Sequence, residues 1–224
     1  MDRRKRVKAI KRLFYPLGMA TLIGFFAILT SYTNEGFLEL DLRTMEWLHG
    51  IILLDALSVF GEPVVIFTVS LGLIVYLWVK RQNFRGMFFV FLTVGVGNAL
   101  NELMEYFFVN ERPDLPRGLE TFSFPSNHAM VGLLYLFTLA YFITDHIASK
   151  YVRWLVWLLA FLLVVAVGLS RVAGGEHFFS DVLAGWFVGY SIFTAVAVWY
   201  EMRERKFQKV SEEERFGESE MEKG

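Results

Sequence analysis

The sequence predicts an all-α fold, a bundle of six transmembrane helices, and three observations carry this prediction. Hydrophobic residues make up 55% of the 224 residues, and the mean hydropathy is +0.43. Six apolar stretches approach the roughly 20 residues that a helix needs to cross a bilayer. Nearly half of the 22 basic and 23 acidic residues lie in residues 1–12 and 201–224. The chain therefore divides into a basic N-terminus at 1–12, a six-helix membrane domain at 13–200 and a charged tail at 201–224.

The predicted spans follow one another along the chain, with one long connection after the first. They cover residues 13–32, 63–79, 87–108, 127–144, 154–170 and 178–200. The connection at 33–62 mixes apolar residues such as Trp47 with acidic residues such as Asp41, a pattern typical of short helices that lie at the membrane interface. Pro63 suits the first turn of the second span, because the N–H group that proline lacks has no partner there.

Lysine and arginine orient the predicted bundle. Residues 1–12, the connections at 80–86 and 145–153 and the tail together hold all but four of the 22 basic residues. The positive-inside rule places this side in the cytoplasm, so both termini are cytoplasmic and the first, third and fifth connections face outward. Those connections contain the four other basic residues, which are Arg43, Arg112, Arg117 and Arg171. Strongly basic inner flanks on a compact chain indicate a bacterial plasma membrane.

Composition excludes several chemistries. The sequence has no cysteine, which excludes disulfides, cysteine-based metal sites and a thiol nucleophile. The net charge of −1 gives no basic surface of the kind that nucleic acids require, so no nucleic-acid partner is expected. No feature of the sequence indicates an obligate protein partner, and the surroundings expected for the chain are the lipid bilayer.

The third span carries a polar stripe, which we define as Asn98, Asn101, Glu102 and Glu105. Their spacing places all four residues on one face of a helix. Ionisable residues within a span usually face the bundle interior and mark a functional site. The alternative is a set of polar contacts that only fastens neighbouring helices together.

Two further segments contain residues suited to binding and attacking a phosphate group. Ser126 stands where the fourth span begins, and a helix N-terminus presents N–H groups to an anion, although serine there is also an ordinary cap. His177 and Asp181 stand four residues apart at the start of the sixth span. The carboxylate can therefore fix the tautomer of the imidazole, although such a pair can also lie on a helix surface without a chemical role.

Both segments fall in connections on the predicted outer side of the bundle. Arg112 and Arg171 offer bidentate guanidinium groups that suit phosphate, and His128 and His177 can serve as general acid and nucleophile. These residues indicate phosphoryl transfer at the membrane surface. We see no cluster of carboxylates and histidines of the metal-ligand type, so we expect no metal and assign the positive charge at the site to the two arginines.

These residues match the signature of a known family. The sequence resembles the type 2 phosphatidic acid phosphatase family of integral-membrane lipid phosphatases, whose signature is Lys-x6-Arg-Pro, Pro-Ser-Gly-His and Ser-Arg-x5-His-x3-Asp. The third block matches in full, the second differs at its glycine and the first at its lysine. The blocks stand here as Glu105-x6-Arg112-Pro113, Pro125-Ser126-Asn127-His128 and Ser170-Arg171-x5-His177-x3-Asp181.

The resemblance implies a role for each matching residue. His177 would attack phosphorus and form a phosphohistidine, with Asp181 orienting its imidazole. His128 would protonate the leaving oxygen and then activate water. The family needs no metal or other cofactor. The phosphate oxygens would be held by Arg112, Arg171, Ser126 and the backbone N–H of Asn127.

Two positions depart from the family pattern. Asn127 replaces glycine and keeps the backbone N–H, although its side chain crowds the site. Glu105 replaces lysine, so an acidic group stands where the family has a phosphate-binding cation. Three explanations are open. Arg117 supplies the missing charge, or burial keeps Glu105 protonated, or Glu105 pairs with Arg112 or Arg171 and positions it. We favour the third explanation.

The sequence thus predicts a membrane lipid phosphatase. The resemblance implies phosphatidylglycerophosphate, undecaprenyl diphosphate or phosphatidic acid as substrate, hydrolysed at the outer face of the plasma membrane. Two alternatives stay open. A phospho-headgroup transferase of the same fold would use an alcohol in place of water, and a lipid-binding or transport protein with an altered site would follow from the change at residue 105.

Overall fold

The computed structural model describes residues 3–32, 34–108, 113 and 122–221, and the side chains described lie between Tyr15 and Arg203. No β-strand occurs among these residues, so the predicted all-α class is confirmed. The helices are α1 (Arg3–Leu29), α2 (Glu35–Leu48), α3 (Ile52–Leu57), α4 (Pro63–Arg81), α5 (Phe84–Val90), α6 (Gly97–Phe107), α7 (Asn127–Asp145), α8 (Lys150–Ala173) and α9 (Phe179–Met221).

Within the described ranges, five helical segments are long and apolar enough to cross a membrane. They are Pro63–Arg81, Phe84–Phe107, Asn127–Asp145, Lys150–Ala173 and Phe179–Arg203. The second of them joins α5 to α6 through a π-helical segment, Phe91–Val96, which hydropathy did not predict. The described apolar part of α1, Tyr15–Leu29, is shorter than a full span. The five segments indicate a multi-pass membrane protein, and the sixth span stays a prediction.

α7 is the central helix of the bundle. In the stretch of α7 that is long enough to cross a membrane, 72% of the residues are buried, against 17% in α4. The reason is that α7 packs against both α8 and α9. Around its second half, aromatic rings pack edge to face, an arrangement that adds to the stability gained by burial. We call this group the aromatic cluster, and its members are Phe89, Phe137, Tyr141, Phe142 and Phe193.

Glycines allow α9 to pack closely against two of its neighbours, α1 and α7. A Cβ atom on Gly24 of α1 would come within 2.5 Å of the Phe187 ring of α9. On another side of α9, a Cβ atom on Gly185 would lie 2.7 Å from the carbonyl oxygen of Ser126. Small residues of this kind bring helix backbones together in membranes. The close approach at Gly185 places the beginning of α9 against the beginning of α7.

Two short helices, α2 and α3, fill the connection between α1 and α4, and a 3₁₀ turn, Ser58–Gly61, leads from α3 to α4. Both helices pack against α8, and α2 also reaches α9. α2 exposes Leu38, Leu42 and Trp47 but buries Asp41. The predicted short helices are therefore present, with one acidic side chain directed into the bundle, while their position at the membrane interface stays a prediction.

Candidate active site

Three segments meet at one end of the bundle: the start of α7, the end of α8 and the start of α9. Ser126 is the N-cap of α7, and its backbone N–H donates to the carbonyl oxygen of Asp181 at 3.1 Å. The side chains of Ser126, His177 and Asp181 are all buried. The structure thus brings together three of the predicted site residues from two distant parts of the sequence.

The imidazole of His177 has a defined tautomer. Its Nδ1 atom lies 3.0 Å from the carbonyl oxygen of Ser123. Because a carbonyl oxygen only accepts hydrogen bonds, Nδ1 carries the proton and Nε2 of the neutral ring has a lone pair. Oδ2 of Asp181 lies 3.8 Å from the same Nδ1 atom. The predicted contact with Asp181 is therefore electrostatic, and a hydrogen bond to Ser123 holds the ring.

Two carboxylates occupy the N-terminus of α9. Oδ2 of Asp181 accepts a hydrogen bond from the N–H of Phe178 at 2.9 Å. Oδ1 and Oδ2 of Asp41, on α2, accept from the N–H and the hydroxyl of Ser180 at 2.8 and 2.7 Å. First-turn N–H groups of a helix attract anions, and at α9 protein carboxylates already fill that role. The N-terminus of α7, which begins at Asn127, is better placed to receive a phosphate group.

Arg171, in the last turn of α8, forms an ion pair with Glu176. Their side chains are 11% and 17% exposed, so the pair is largely shielded from solvent. Gly175 has a φ angle of +67°, a conformation that glycine adopts without strain, and it turns the chain so that Glu176 returns to Arg171. Sequence reasoning missed Glu176, although an acidic residue between the motif arginine and His177 was a visible signal.

The polar stripe of α6 supports the segment that leads into α7. Asn101 is fully buried, and its Nδ2 atom donates to the carbonyl oxygen of Pro125 at 3.0 Å. Asn98 donates to Glu102 at 2.7 Å and accepts from Nδ2 of Asn127 at 3.3 Å. These contacts fasten α6 to the start of α7, so the two asparagines fit the alternative in which the stripe joins helices.

Among the residues that the structure describes, two buried polar atoms at the start of α7 have no hydrogen-bond partner, Oγ of Ser126 and Oδ1 of Asn127. Buried polar atoms in folded proteins are nearly always paired, so unpaired ones mark a place where a bound molecule can supply the partner. The Ser126 hydroxyl stands beside the first-turn N–H groups of α7 and can donate to a phosphate oxygen.

His128 lines a cleft of about 290 Å³ between α4, α6 and α7. Asn98 and Asn127 are the other polar residues that line it. The remaining wall is apolar and consists of Gly61, Pro63, Ile66, Phe67, Val94, Gly95 and Val131. A cleft that is mostly apolar but includes a few polar groups suits an amphiphilic molecule.

Two of the predicted site residues, Arg112 and Arg117, lie outside the described residues. Their roles stay predictions, and so does the pairing of Glu105 with Arg112 or Arg171. Glu105 itself is half-buried near the end of α6. Among the side chains that are described, no group of three or more histidine, aspartate and glutamate residues could hold a metal ion. The expectation of a site without metal stays a prediction.

Comparisons with known proteins show the family of this chain. The model of the PAP2 superfamily matches residues 87–205, a range that includes His128 and His177. Phosphatidylglycerophosphatase B of Bacillus subtilis (strain 168) is 32% identical over 168 residues, which is 73% of this chain and 79% of that protein. A crystal structure of a transmembrane PAP2 type phosphatidylglycerolphosphate phosphatase from Bacillus subtilis superposes with a TM-score of 0.70, at 24% identity, over 83% of this chain and 96% of the other. The chain is a multi-pass membrane protein and belongs to the PAP2 superfamily.

Proposed function

We propose that this protein is a membrane lipid phosphatase that removes a terminal phosphate group through a phosphohistidine intermediate. The observation that carries the proposal is the state of His177. Its hydrogen bond to Ser123 puts the proton on Nδ1, so Nε2 of the neutral ring carries the lone pair and can attack phosphorus without prior loss of a proton. The ring is held in a buried position next to the N-terminus of α7, where a phosphate group can bind.

The reaction has two steps. In the first, Nε2 of His177 attacks the terminal phosphorus, the P–O bond to the lipid breaks, and His128 gives a proton to the departing oxygen. In the second, water attacks the phosphorus, His128 takes a proton from this water, and the P–N bond breaks. Inorganic phosphate leaves, and both histidines return to their initial states.

Positive charge at the site stabilises the phosphoryl group during transfer. Arg171 supplies part of it, and we assign the rest to Arg112. The substrate phosphate competes with Glu176 for the guanidinium of Arg171, since charge-assisted hydrogen bonds to both anions use the same donors. The Ser126 hydroxyl and the N–H of Asn127 hold further phosphate oxygens. No metal and no cofactor takes part in the proposed reaction.

We propose that α1 supplies a sixth span and that both termini lie in the cytoplasm. Lys80 and Arg81 end α4, and Arg85 lies in the first turn of α5. These basic residues stand at the end of the bundle opposite to His177. By the positive-inside rule, the site then lies on the outer face of the plasma membrane.

Among lipid phosphates, phosphatidylglycerophosphate is the first substrate to test, because the curated relative is named phosphatidylglycerophosphatase B. Undecaprenyl diphosphate and phosphatidic acid carry a terminal phosphate as well and suit the same chemistry. The mostly apolar cleft that His128 lines supports a substrate whose leaving group is attached to a lipid.

Purified protein in detergent, assayed with EDTA present, tests the proposal. Short-chain forms of the three lipids are supplied separately, and inorganic phosphate is measured. We expect release from at least one of them, and acid-labile labelling of the protein when the terminal phosphate carries ³²P. The proposal is wrong if folded wild-type protein releases no phosphate from any of the three. Loss of activity on adding EDTA would contradict the absence of a metal from the mechanism, but it would not contradict the phosphatase activity.

Glu105 favours a second candidate function, because it stands in place of the family lysine. The second candidate is a phospho-headgroup transferase or a lipid-binding protein with an altered site. Added glycerol separates transfer from hydrolysis, since a transferase forms glycerol phosphate at the expense of inorganic phosphate. Glu105→Lys restores the family residue: it raises phosphatase activity if the site is impaired, and lowers it if Glu105 positions an arginine.

A further inference from the structure

Asp41 is a buried carboxylate at the active-site end of the bundle, and the proposed reaction does not use it. It lies on α2 and is 2% exposed. Both of its oxygens bond to one residue of α9, since Ser180 donates its backbone N–H to Oδ1 and its hydroxyl to Oδ2. Ser180 directly precedes Asp181 in the chain. Asp41 therefore holds the backbone and the side chain of the residue next to Asp181.

We infer that Asp41 is a positioning residue for His177 and Asp181, and that it keeps the first turn of α9 in the geometry needed for attack on phosphorus. The inference rests on the proposed function, because it assigns Asp41 to the same reaction.

The contacts of α9 show how Asp41 acts at a distance from the phosphorus. Asp181 accepts from the N–H of Phe178 at 2.9 Å and stands 3.8 Å from Nδ1 of His177. Its carbonyl oxygen accepts from the N–H of Ser126, the N-cap of α7. A shift of the Ser180 peptide therefore moves both the carboxylate beside the nucleophile and the helix end that receives the phosphate. Displacements of about 1 Å in such groups can lower a rate on the order of 100-fold.

The charge of Asp41 distinguishes a positioning role from a purely stabilising one. Burial raises the pKa of the Asp41 carboxyl above its usual value, hydrogen bonds from Ser180 oppose the shift, and the negative charge of Asp181 adds to it. A raised pKa means that ionisation of Asp41 is less favourable in the folded protein than in the unfolded chain, so the charge of Asp41 lowers the free energy of unfolding at neutral pH. A neutral residue of the same shape should therefore leave the fold at least as stable.

Two variants and two matched controls separate positioning from stability. Asp41→Asn keeps the shape but replaces one acceptor oxygen by a donor, and Ser180→Ala removes only the hydroxyl contact. Glu39→Gln changes an exposed carboxylate of the same helix that pairs with Arg43. Ser191→Ala removes a hydrogen bond between α9 and α1, far from the site.

Steady-state kinetics with short-chain phosphatidylglycerophosphate give the first readout. For Asp41→Asn we expect kcat to fall roughly 10- to 100-fold, with KM within about twofold of the wild-type value and a thermal midpoint no lower than wild type. The kcat of Ser180→Ala should fall less than that of Asp41→Asn, because the backbone N–H of residue 180 still donates to Asp41. Glu39→Gln and Ser191→Ala should keep kcat, although Ser191→Ala lowers the midpoint. Equal kcat in Asp41→Asn and Glu39→Gln overturns the inference.

Nuclear magnetic resonance of protein carrying ¹⁵N-labelled histidine gives a second readout that needs no substrate. The His177 signals are identified by their loss in His177→Ala. We expect Asp41→Asn to shift them and Ser191→Ala to leave them unchanged; unchanged signals in Asp41→Asn overturn the inference. If wild-type protein hydrolyses no lipid phosphate, the proposed function fails, and this readout alone decides the role of Asp41. If Asp41→Asn does not fold, Ser180→Ala is judged by the same measurements.

Discussion

The two ends of the α7–α9 pair are held together in different ways. Where α7 begins, a hydrogen bond from Ser126 to Asp181 joins α7 to α9, and a hydrogen bond from Ser180 to Asp41 joins α9 to α2. At the opposite end, the rings of the aromatic cluster pack edge to face. Hydrogen bonds weaken steeply with distance and angle, whereas apolar packing tolerates modest repacking. In the proposed function, hydrogen bonds at one end of this pair of helices hold the reaction geometry, whereas ring packing joins the pair at the other end.

His177→Ala is the change with the largest expected effect at the active-site end. Removing the nucleophile should lower kcat by at least about 1000-fold, because no other group replaces it in the first step. Initial rates of phosphate release measure the effect. His146→Ala, an exposed residue at the other end of α7, is the control and should keep the wild-type rate. A His177→Ala protein with normal turnover would remove His177 from the mechanism.

Gly185→Ala tests how closely the active-site ends of α7 and α9 must approach. The new Cβ atom would lie 2.7 Å from the carbonyl oxygen of Ser126, a backbone atom that cannot rotate away. Such overpacking costs about 1–3 kcal/mol, and a displacement of about 1 Å should lower kcat on the order of 100-fold. Gly72→Ala on α4 adds a methyl group in open space and should change neither the stability nor kcat. Rates and thermal midpoints of both variants check the comparison.

The sequence predicted much of the fold, because membrane spans follow from hydropathy alone. It also predicted that His177 and Asp181 lie one turn apart, since that relation is local. Asp41 was not singled out, because its partner Ser180 is 139 residues away. Several acidic residues occupy the connection between α1 and α4, and only the packing of α2 on α9 decides which of them is buried.

The hydrogen bond of His177 was unpredictable for a related reason. Its acceptor is the backbone carbonyl of Ser123, and every residue carries such a carbonyl, so no side-chain pattern marks it. The π-helical segment at Phe91–Val96 was missed because hydropathy averages over about 19 residues and does not register a local change in helix type.

Glu176→Gln addresses the charge at the active-site end and should have a smaller effect. The substrate phosphate displaces the Glu176 carboxylate from Arg171, so removing that charge should lower KM roughly fivefold, equivalent to about 1 kcal/mol. The control is Glu46→Gln, an exposed acidic residue on α2. Substrate titrations measure KM in both variants. A higher KM in Glu176→Gln would mean that the carboxylate orients Arg171 and does not compete with the substrate.

Phe193→Ala tests the opposite end, where we expect the smallest effect on catalysis. Phe193 is fully buried and contacts the rings of Phe89 and Phe137, so its truncation should destabilise the protein by about 3–5 kcal/mol. The cavity opens far from His177, and distant sites act independently, so kcat well below the thermal midpoint should stay within about twofold of wild type. Thermal midpoints and rates at low temperature measure both effects. A loss of kcat as steep as that of Gly185→Ala would show that packing at the aromatic end also sets the position of the nucleophile, and the two ends would then act as one unit.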